Sequence, residues 1–215
     1  SRGANPPAGE FVLIEGGYYS ICGIRSSGEL ACWGRADNNC PGCLNPPEGT
    51  YTDLAAGYSH FCALGDDGEV DCWGDAADGK LEAPAGPFVE IAPAYNATCG
   101  RREDGSVACW GDDWNAILIA PAIPLTQLAR STNYQAQHMC GLNAEGTPVC
   151  WGSNGSGQSW PVPPGRFTEL SLGAYHTCGM REDGAAVCWG DNGSSRLGCR
   201  IEAGIPLGNT WYCVL

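Results

Sequence analysis

The sequence predicts an all-β protein made of five similar units, each containing a β-hairpin closed by a disulfide bond. The first observation is a cassette of two cysteines separated by nine residues and followed by Trp-Gly. It occurs at Cys22/Cys32, Cys62/Cys72, Cys99/Cys109, Cys140/Cys150 and Cys178/Cys188. The second is its pitch, which is 40, 37, 41 and 38 residues from first cysteine to first cysteine. Units of that size stack on one another to bury their faces.

The third observation is a glycine inside every cassette, which marks a tight turn. These glycines are Gly28, Gly68, Gly105, Gly146 and Gly184. In the segment 103–105 the glycine takes the third position of a three-residue hairpin loop, where the left-handed conformation is required. That register sets Cys99 opposite Cys109 at a Cα separation of about 4.5–5.5 Å, which a disulfide tolerates.

Four short strands are predicted in each unit. In the second unit they are residues 51–54, 59–64 and 69–74 and a short stretch at 80–82. Alternate residues face opposite sides of a strand, and both sides are largely apolar or small. Sheets stacked face to face give that pattern, which predicts a β-propeller of about five four-stranded blades. A β-solenoid is the alternative, although its coils are shorter than this pitch.

The predicted propeller domain covers residues 1–196. Its repeats are placed approximately at 11–50, 51–87, 88–124, 125–166 and 167–196. Because residues 5–11 are similar to the inter-repeat joints 45–51 and 163–167, residues 1–10 are expected to complete the last blade and close the ring. Residues 197–215 form a C-terminal extension in which Cys199 and Cys213 are expected to be bonded. The extension is expected either to lie on the outer edge of the last blade or to pair with a neighbouring molecule.

Composition indicates a secreted protein. The 215 residues include Gly 32 and Pro 15 but only Phe 4 and Met 2, so the core is thin, and the Cys 14 fit a disulfide-stabilised fold in an oxidising compartment. The start at Ser1 suggests a processed secreted chain. The sequence has no apolar run long enough to predict a membrane-spanning helix. A net charge of −13 with Lys80 as the sole lysine argues against nucleic acid as a partner.

Several segments are similar to a known repeat family. Residues 54–64, 67–68 and 72–74 resemble the regulator of chromosome condensation (RCC1-like) repeat, as do residues 173–178, 183–184 and 188–192. The resemblance extends to about residue 197 and implies a β-propeller. Family members commonly carry seven blades, whereas five cassettes are present here. The third unit has Pro93-Ala94 in place of the expected glycine, and the fourth is longer between Leu128 and Cys140.

The family's functions narrow the expectation to binding without chemistry. Nucleotide exchange on a small GTPase and docking to chromatin do not fit the acidic charge and the cysteines. The propeller-type β-lactamase-inhibitor proteins of the family are secreted and fit better, but no loop motif of theirs is matched. The resemblance therefore implies a non-enzymatic, RCC1-like binding protein.

Cys40-Pro-Gly-Cys43 is the one closely spaced cysteine pair. A redox dithiol normally needs a helix N-terminus to lower its thiol pKa, whereas this pair lies in a Pro-rich loop, so a structural disulfide is favoured. Pairing with Cys199 and Cys213 stays open, since four cysteines allow three connectivities.

Candidate chemical residues are few. His60, His138 and His176 each precede a first cysteine by two positions, and a residue repeated in register is expected to serve the fold. No catalytic triad, metal site or cofactor is predicted. Three sequons, at Asn96, Asn154 and Asn192, predict a glycoprotein if the producing cell has the machinery.

Aromatic residues outside the cassettes are the predicted binding residues, because exposed Trp and Tyr often anchor interfaces. They are Trp114, Tyr134, Trp160 and Trp211. The favoured function is a secreted propeller that binds another extracellular protein or itself, with the C-terminal extension building a filament or sheath. A carbohydrate-binding lectin is the second hypothesis. An enzyme inhibitor acting through the insertion 129–137 is the third.

Overall fold

The computed structural model describes residues 5–35, 40–131 and 135–191 and the backbone of residues 212–214. These residues form β-strands joined by turns and two short 3₁₀ turns, Ala77–Gly79 and Trp114–Ala116. The strands of the first three units are β1 (Phe11–Gly16), β2 (Ser20–Arg25), β3 (Leu30–Gly34), β4 (Tyr51–Ala56), β5 (His60–Gly65), β6 (Val70–Gly74), β7 (Glu90–Pro93), β8 (Ala97–Arg101) and β9 (Val107–Gly111). The remaining strands are β10 (Gln127–Leu128), β11 (Arg130–Ser131), β12 (His138–Leu142), β13 (Pro148–Gly152), β14 (Phe167–Leu172), β15 (His176–Arg181), β16 (Ala186–Gly190) and β17 (Tyr212–Val214).

The strands form five sheets, numbered 1 to 5 in chain order. Sheets 1, 2 and 3 are β1-β2-β3, β4-β5-β6 and β7-β8-β9, sheet 4 is β10-β12-β13, and sheet 5 is β11-β14-β15-β16-β17. Neighbouring strands of a sheet pair antiparallel, except that β11 pairs parallel with β14. The first strands of successive sheets lie next to one another, as β1 and β4 and then β4 and β7 do.

The glycine turns set the register of the hairpins. Gly105 has φ +84°, and its N–H donates to Arg102 O at 3.0 Å while Arg102 N donates to Ser106 O at 2.9 Å. A side chain is strained at such a φ. The resulting register pairs Cys99 directly with Cys109.

Disulfides close the hairpins of the five sheets. They join Cys22 to Cys32, Cys62 to Cys72, Cys99 to Cys109, Cys140 to Cys150 and Cys178 to Cys188. Their Cα–Cα distances of 4.0–4.1 Å are shorter than expected. The reason is that each pair occupies a non-hydrogen-bonded position of the ladder, where Cα atoms approach more closely.

The two cysteines of a hairpin disulfide can differ in burial. Cys22 and Cys140 are 0% exposed, whereas their partners Cys32 and Cys150 are half-buried. The difference follows from strand order, because β2 and β12 are central strands and β3 and β13 lie at the edges of their sheets. Cys32 and Cys150 therefore tie an outer strand to a buried one.

Cys40 and Cys43 are bonded to each other in the loop after β3. Both are buried and pack with residues of sheets 1 and 2. Cys199 lies outside the described residues, and for Cys213 only the backbone is described, where it pairs with Cys188. The proposed bond between Cys199 and Cys213 therefore stays a prediction.

Each sheet has a cysteine face, which carries the disulfide, and a tryptophan face, which carries the Trp of the cassette. The cysteine face of one sheet packs on the tryptophan face of the next. At the first interface Cys22 and Ile24 of sheet 1 meet Leu54, Phe61 and Trp73 of sheet 2 in one buried cluster. The core is thus a series of thin layers between neighbouring sheets. Small residues and aromatic rings fill these layers.

Small residues on the tryptophan face make room for an aromatic ring. A Cβ added to Gly100 would lie 2.5 Å from the Phe88 ring, and one added to Gly179 would lie 2.5 Å from the Phe167 ring. The same rings pack on the cassette tryptophans, with Phe88 and Trp110 5.8 Å apart between centroids. Gly100 and Gly179, which are distinct from the turn glycines of the same units, therefore have a packing role.

Two details of the predicted architecture are wrong for the described residues. The sheets of units 1 to 4 have three strands each, and residues 80–82 form no strand. Residues 5–10 form no strand either, so this part of the N-terminal segment adds no strand to sheet 5. It packs instead on the turn of its own unit, where Arg25 Nη1 donates to Ala8 O at 2.7 Å and Ser26 N donates to Glu10 O at 3.1 Å.

The outer edge of sheet 5 is occupied by the C-terminal segment, because β17 pairs antiparallel with β16. This is the first of the two positions expected for the extension. The proposed limits of the two domains stay a prediction. Within the described ranges, no helix is both long and apolar enough to cross a membrane.

Candidate binding surface

One end of the sheets gathers the non-repeat loops. The connection between the first and second strands of each sheet and the loop after Trp-Gly meet there, because neighbouring strands run antiparallel. Backbone bonds join the two kinds of loop: Asp75 N donates to Ser59 O at 2.9 Å, and Asp112 N donates to Asn96 O at 3.0 Å. This end is called the loop end, and the opposite one, with the glycine turns, the turn end.

A row of tyrosines crosses the loop end of sheets 1 to 3. Tyr18 stacks on Tyr58 with ring centroids 4.7 Å apart and an interplanar angle of 27°, and Tyr58 lies 5.0 Å from Tyr95. Backbone bonds follow the same path, since Tyr18 N donates to Tyr58 O at 3.3 Å and Tyr58 N donates to Tyr95 O at 2.7 Å. Tyr18, Tyr58 and Tyr95 are called the tyrosine row.

The tyrosine row is held in place and partly accessible. Tyr18 is 38% exposed, and Tyr58 and Tyr95 are half-buried. Tyr19 packs against Tyr18 at 4.1 Å and carries the Arg35 guanidinium over its ring at 5.5 Å. Rigid tyrosines lose little conformational entropy on contact. The row is therefore suited to a contact surface.

Sequence reasoning missed this row. The only signal is that Tyr occupies the position four residues before the first cysteine in units 1, 2 and 3. By strand periodicity that position belongs to a connection between strands, and units 4 and 5 have alanine there, at Ala136 and Ala174.

Two of the predicted binding residues also lie at the loop end. Trp114 is 61% exposed in the 3₁₀ turn after sheet 3, and Trp160 is 69% exposed in the loop after sheet 4. Asn154 fixes the second loop, because its Oδ1 accepts from Trp160 N at 2.8 Å and its Nδ2 donates to Trp160 O at 3.0 Å. Tyr134 and Trp211 lie outside the described residues.

The sequons differ in accessibility. Asn154 is exposed. Asn96 is half-buried, and Thr98 of its sequon is fully buried. Asn192 lies outside the described residues. Glycosylation stays a prediction, for which Asn154 is the more accessible of the two described sites.

A charged cleft opens between the first strands of the sheets. It has a volume of about 660 Å³, and its lining includes Thr52, Asp53, Glu90, Arg101 and Arg130. Arg101 Nε donates to Glu90 at 2.8 Å. Glu90 also makes a hydrogen bond to the next sheet, since its Oε2 accepts from Leu128 N at 3.0 Å.

Arg130 joins three sheets at this cleft. Its guanidinium pairs with Asp53 of sheet 2 and, at 3.4 Å, with Glu15 of sheet 1. Burial raises the pKa of Glu15 above its usual value, although the nearby guanidinium lowers it. The insertion 129–137 is the candidate for an inhibitory loop, but β11 is paired into sheet 5 and Ala136 is fully buried. The described part of the insertion is therefore built into the fold.

The histidines serve sheet packing. His60 and His138 are fully buried, and burial lowers the pKa of His60 to about 3 and that of His138 to about 4. Their Nε2 atoms bond the hydroxyls of Thr98 and Thr177. Within the described residues no group of three or more His, Cys, Asp or Glu side chains is placed to hold a metal ion.

Comparison with known proteins identifies the fold. Residues 51–80 and 167–196 match the family model of the Regulator of chromosome condensation (RCC1) repeat. No curated protein sequence matches the chain significantly.

Similar solved structures include two plant receptor ectodomains. The ectodomain of the Physcomitrella patens receptor kinase CR4 is 28% identical, with a TM-score of 0.70 over 86% of this chain and 52% of that one. The CRINKLY WD40 ectodomain of the Arabidopsis thaliana receptor kinase ACR4 is 26% identical, with a TM-score of 0.65 over 88% of this chain and 66% of that one. Saccharomyces cerevisiae Prp20p has a TM-score of 0.71 at 14% identity over 94% of this chain and 61% of that one, which shows the fold alone.

The class that the stacked sheets and these matches define is the all-β, RCC1-like propeller fold. Within that class, residues 51–80 and 167–196 match the RCC1 repeat, and a disulfide closes the hairpin of each of the five units. The chain spans 52% and 66% of the two plant ectodomain structures.

Proposed function

We propose that this chain is an extracellular, non-enzymatic binding domain whose loop end contacts a protein partner. The tyrosine row is the observation that carries this proposal. It extends over three sheets, is fixed by ring stacking and backbone hydrogen bonds, and is partly accessible, with Tyr18 38% exposed. Tyrosine supplies large contact areas at interfaces.

Secretion is supported by chemistry and by the comparisons. Six disulfides between described cysteines suit an oxidising compartment. The two plant structures with more than 25% identity are receptor ectodomains by their names. Self-assembly through the C-terminal extension is left out of the proposal, because β17 uses the edge of its own sheet.

A protein partner is favoured over a glycan at the tyrosine row. A sugar stacks on an open ring face, whereas Tyr18 and Tyr58 cover each other's faces at 4.7 Å. The second candidate, carbohydrate binding, is favoured by Trp114 and Trp160, which are 61% and 69% exposed. The two candidates therefore involve different aromatic residues of the same end.

The test uses the oxidised protein and two probes. Peptides selected from a displayed random library report protein-binding surfaces, and a glycan array reports carbohydrate binding. Selected peptides are expected to lose at least tenfold in affinity with Tyr18→Ala combined with Tyr58→Ala. The matched control is Arg166→Ala combined with Glu182→Ala, which removes an exposed pair of sheet 5 and should leave affinity unchanged.

Two results would contradict the proposal. Peptides that bind both tyrosine variants and control equally would place the contact elsewhere. Glycan binding that is abolished by Trp160→Ala, without any selected peptide, would favour the lectin hypothesis instead.

A further inference from the structure

Imidazole–hydroxyl pairs join successive sheets at two of the four interfaces. His60 Nε2 of sheet 2 lies 2.9 Å from Thr98 Oγ1 of sheet 3, and His138 Nε2 of sheet 4 lies 2.8 Å from Thr177 Oγ1 of sheet 5. Thr177 Oγ1 donates its hydrogen to Gln158 O at 3.0 Å, so it accepts from the Nε2–H of His138. The four paired side chains are 0% exposed.

The other two interfaces have no such pair. At the corresponding positions stand Ser20 of sheet 1 with Phe61 of sheet 2, and Ala97 of sheet 3 with Met139 of sheet 4. A buried imidazole N–H needs an acceptor, and in both instances the sheet that follows a histidine provides threonine. The residue types on the two sides of an interface are therefore matched.

His176 is a third histidine at this position, on the cysteine face of sheet 5. Its ring covers Gly173 as the ring of His60 covers Gly57, and neither glycine leaves room for a Cβ. Unlike the other two, His176 is half-buried, and its ring makes no hydrogen bond to any residue that the structure describes.

No described strand packs on the cysteine face around His176. Met180 is 41% exposed, whereas the corresponding Ile24, Leu64 and Leu142 are 2%, 3% and 3% exposed against a following sheet. A cleft of about 220 Å³ opens over Leu170, Cys178, Gly179, Met180 and Ala186. The positions that make the four existing interfaces thus recur here without a following sheet among the described residues.

We propose that the cysteine face of sheet 5 is a docking site for a sixth β-sheet of the same repeat type, which carries Thr or Ser opposite His176. Sheet 1 does not meet this requirement, because Ile21 occupies the position of Thr98 and Thr177. Its tryptophan face also has no sheet packed on it within the described ranges, and Ile14 is 53% exposed. Ring closure onto sheet 1 and head-to-tail contact with a second copy would both bury the imidazole against a side chain without an acceptor.

Chemical modification of residues already present in the chain can test whether this face becomes covered. Of its three histidines, His60 and His138 are buried, so diethyl pyrocarbonate should modify His176. Of its two methionines, Met139 is 0% exposed and Met180 is 41% exposed, so peroxide should oxidise Met180. Mass spectrometry of the full oxidised chain reads both sites, with the buried residues as internal controls.

The probe is a copy of residues 88–124 attached to the C-terminus of the full chain by a flexible linker. Modification of His176 and Met180 is expected to slow at least fivefold. The Thr98→Val version of the copy, and a copy of residues 11–50 with Ile21, should protect less than twofold. His176→Ala should abolish the difference between the Thr and Val copies, as judged by Met180.

Three outcomes would overturn the proposal. One is an absence of protection by the Thr copy. Another is equal protection by the copy of residues 11–50, or protection of the unextended chain that grows with its concentration, either of which makes a second copy the occupant. The third is protection in the unextended chain that is lost when residues 192–215 are deleted, which makes that segment the cover.

Discussion

The imidazoles of His60 and His138 are buried titratable groups, and folding holds both neutral. Each ring bonds a threonine hydroxyl of the next sheet, and burial lowers both pKa values from the ordinary value of 6.5. The unfolded chain therefore binds more protons than the native protein at acid pH, and stability depends on the neutral form.

Acid is accordingly expected to destabilise the protein through these residues. Their contribution is complete above pH 6.5 and is lost as the pH falls toward the folded values of about 3 and about 4. At pH 4.5 the unfolding free energy should fall by about 2–3 kcal/mol for His138 alone. Urea unfolding at pH 7.5 and at pH 4.5, monitored by tryptophan fluorescence, measures this loss of unfolding free energy.

The variant His138→Asn should have a flatter dependence on pH, since its amide does not titrate. His176→Asn is the control and should change the dependence less, because that ring is half-buried. Parallel pH curves for the native protein and His138→Asn would refute this account.

Among residues, the repeated positions are predictable from the sequence and the unrepeated contacts are not. The structural role of the histidines follows from their register, whereas their threonine partners lie 38 and 39 residues away. Arg130 contacts Asp53 and Glu15 across 77 and 115 residues. No local pattern indicates contacts over such separations.

At the scale of the element, each hairpin combines a glycine turn with a disulfide at a fixed register. Cys62 pairs directly with Cys72, and Gly68 has φ +82° in the turn between them. The disulfide lowers the conformational entropy of the unfolded chain, and the glycine turn favours the register that the disulfide requires. Two independent features therefore specify the same hairpin.

Removing one hairpin disulfide should cost stability without changing the fold. Cys62→Ala combined with Cys72→Ala opens a loop of 10 residues' separation, for which the chain-entropy model gives about 3 kcal/mol. Urea unfolding measures the loss, and mass spectrometry must show that the other bonds are intact. A loss below about 1 kcal/mol would mean that the turn alone fixes the register.

The hairpins are predictable because their signals are local, and the fourth strand is not. A short strand is expected at 80–82, but this segment follows a 3₁₀ turn, and the Lys80 ammonium bonds Asp75 at 2.6 Å inside the protein. An ion pair between a buried lysine and a half-buried aspartate of the same loop has no signature in strand periodicity.

At the scale of the whole molecule, the two end faces of the stack carry apolar residues that other sheets bury. Ile14 of sheet 1 is 53% exposed, while the corresponding Leu54, Ile91, Leu128 and Leu170 are 0–3% exposed. The end residues therefore contribute less to stability than their counterparts inside the stack.

Truncation at matched positions should show this difference. Ile91→Ala should cost about 2–5 kcal/mol, because it leaves a cavity between sheets 2 and 3. Ile14→Ala should cost less than about 1 kcal/mol, since water already contacts that side chain. Chemical unfolding of both variants at equal protein concentration measures it. Similar losses would show that sheet 1 is covered in solution.

The number of stacked sheets follows from the five cassettes, but the state of the ends does not. Residues 1–10 are expected to close the ring because residues 5–11 are similar in sequence to the joints between repeats. For the described part of this segment, residues 5–10, the structure shows no strand. In the structure they bond Arg25 and Ser26 of their own unit. Similarity to a joint between repeats indicates only the local backbone conformation. It does not indicate which sheet the segment packs against.

The alternation of imidazole–hydroxyl and apolar contacts also restricts how such a chain can shorten in evolution. Loss of the segment that forms sheets 3 and 4 would bring His60 opposite Thr177 and preserve a hydrogen-bonded core. Loss of sheet 3 alone would place the same imidazole opposite Met139, which has no hydroxyl. Loss of sheets 3 and 4 together is therefore compatible with this interior, whereas loss of sheet 3 alone requires a compensating mutation.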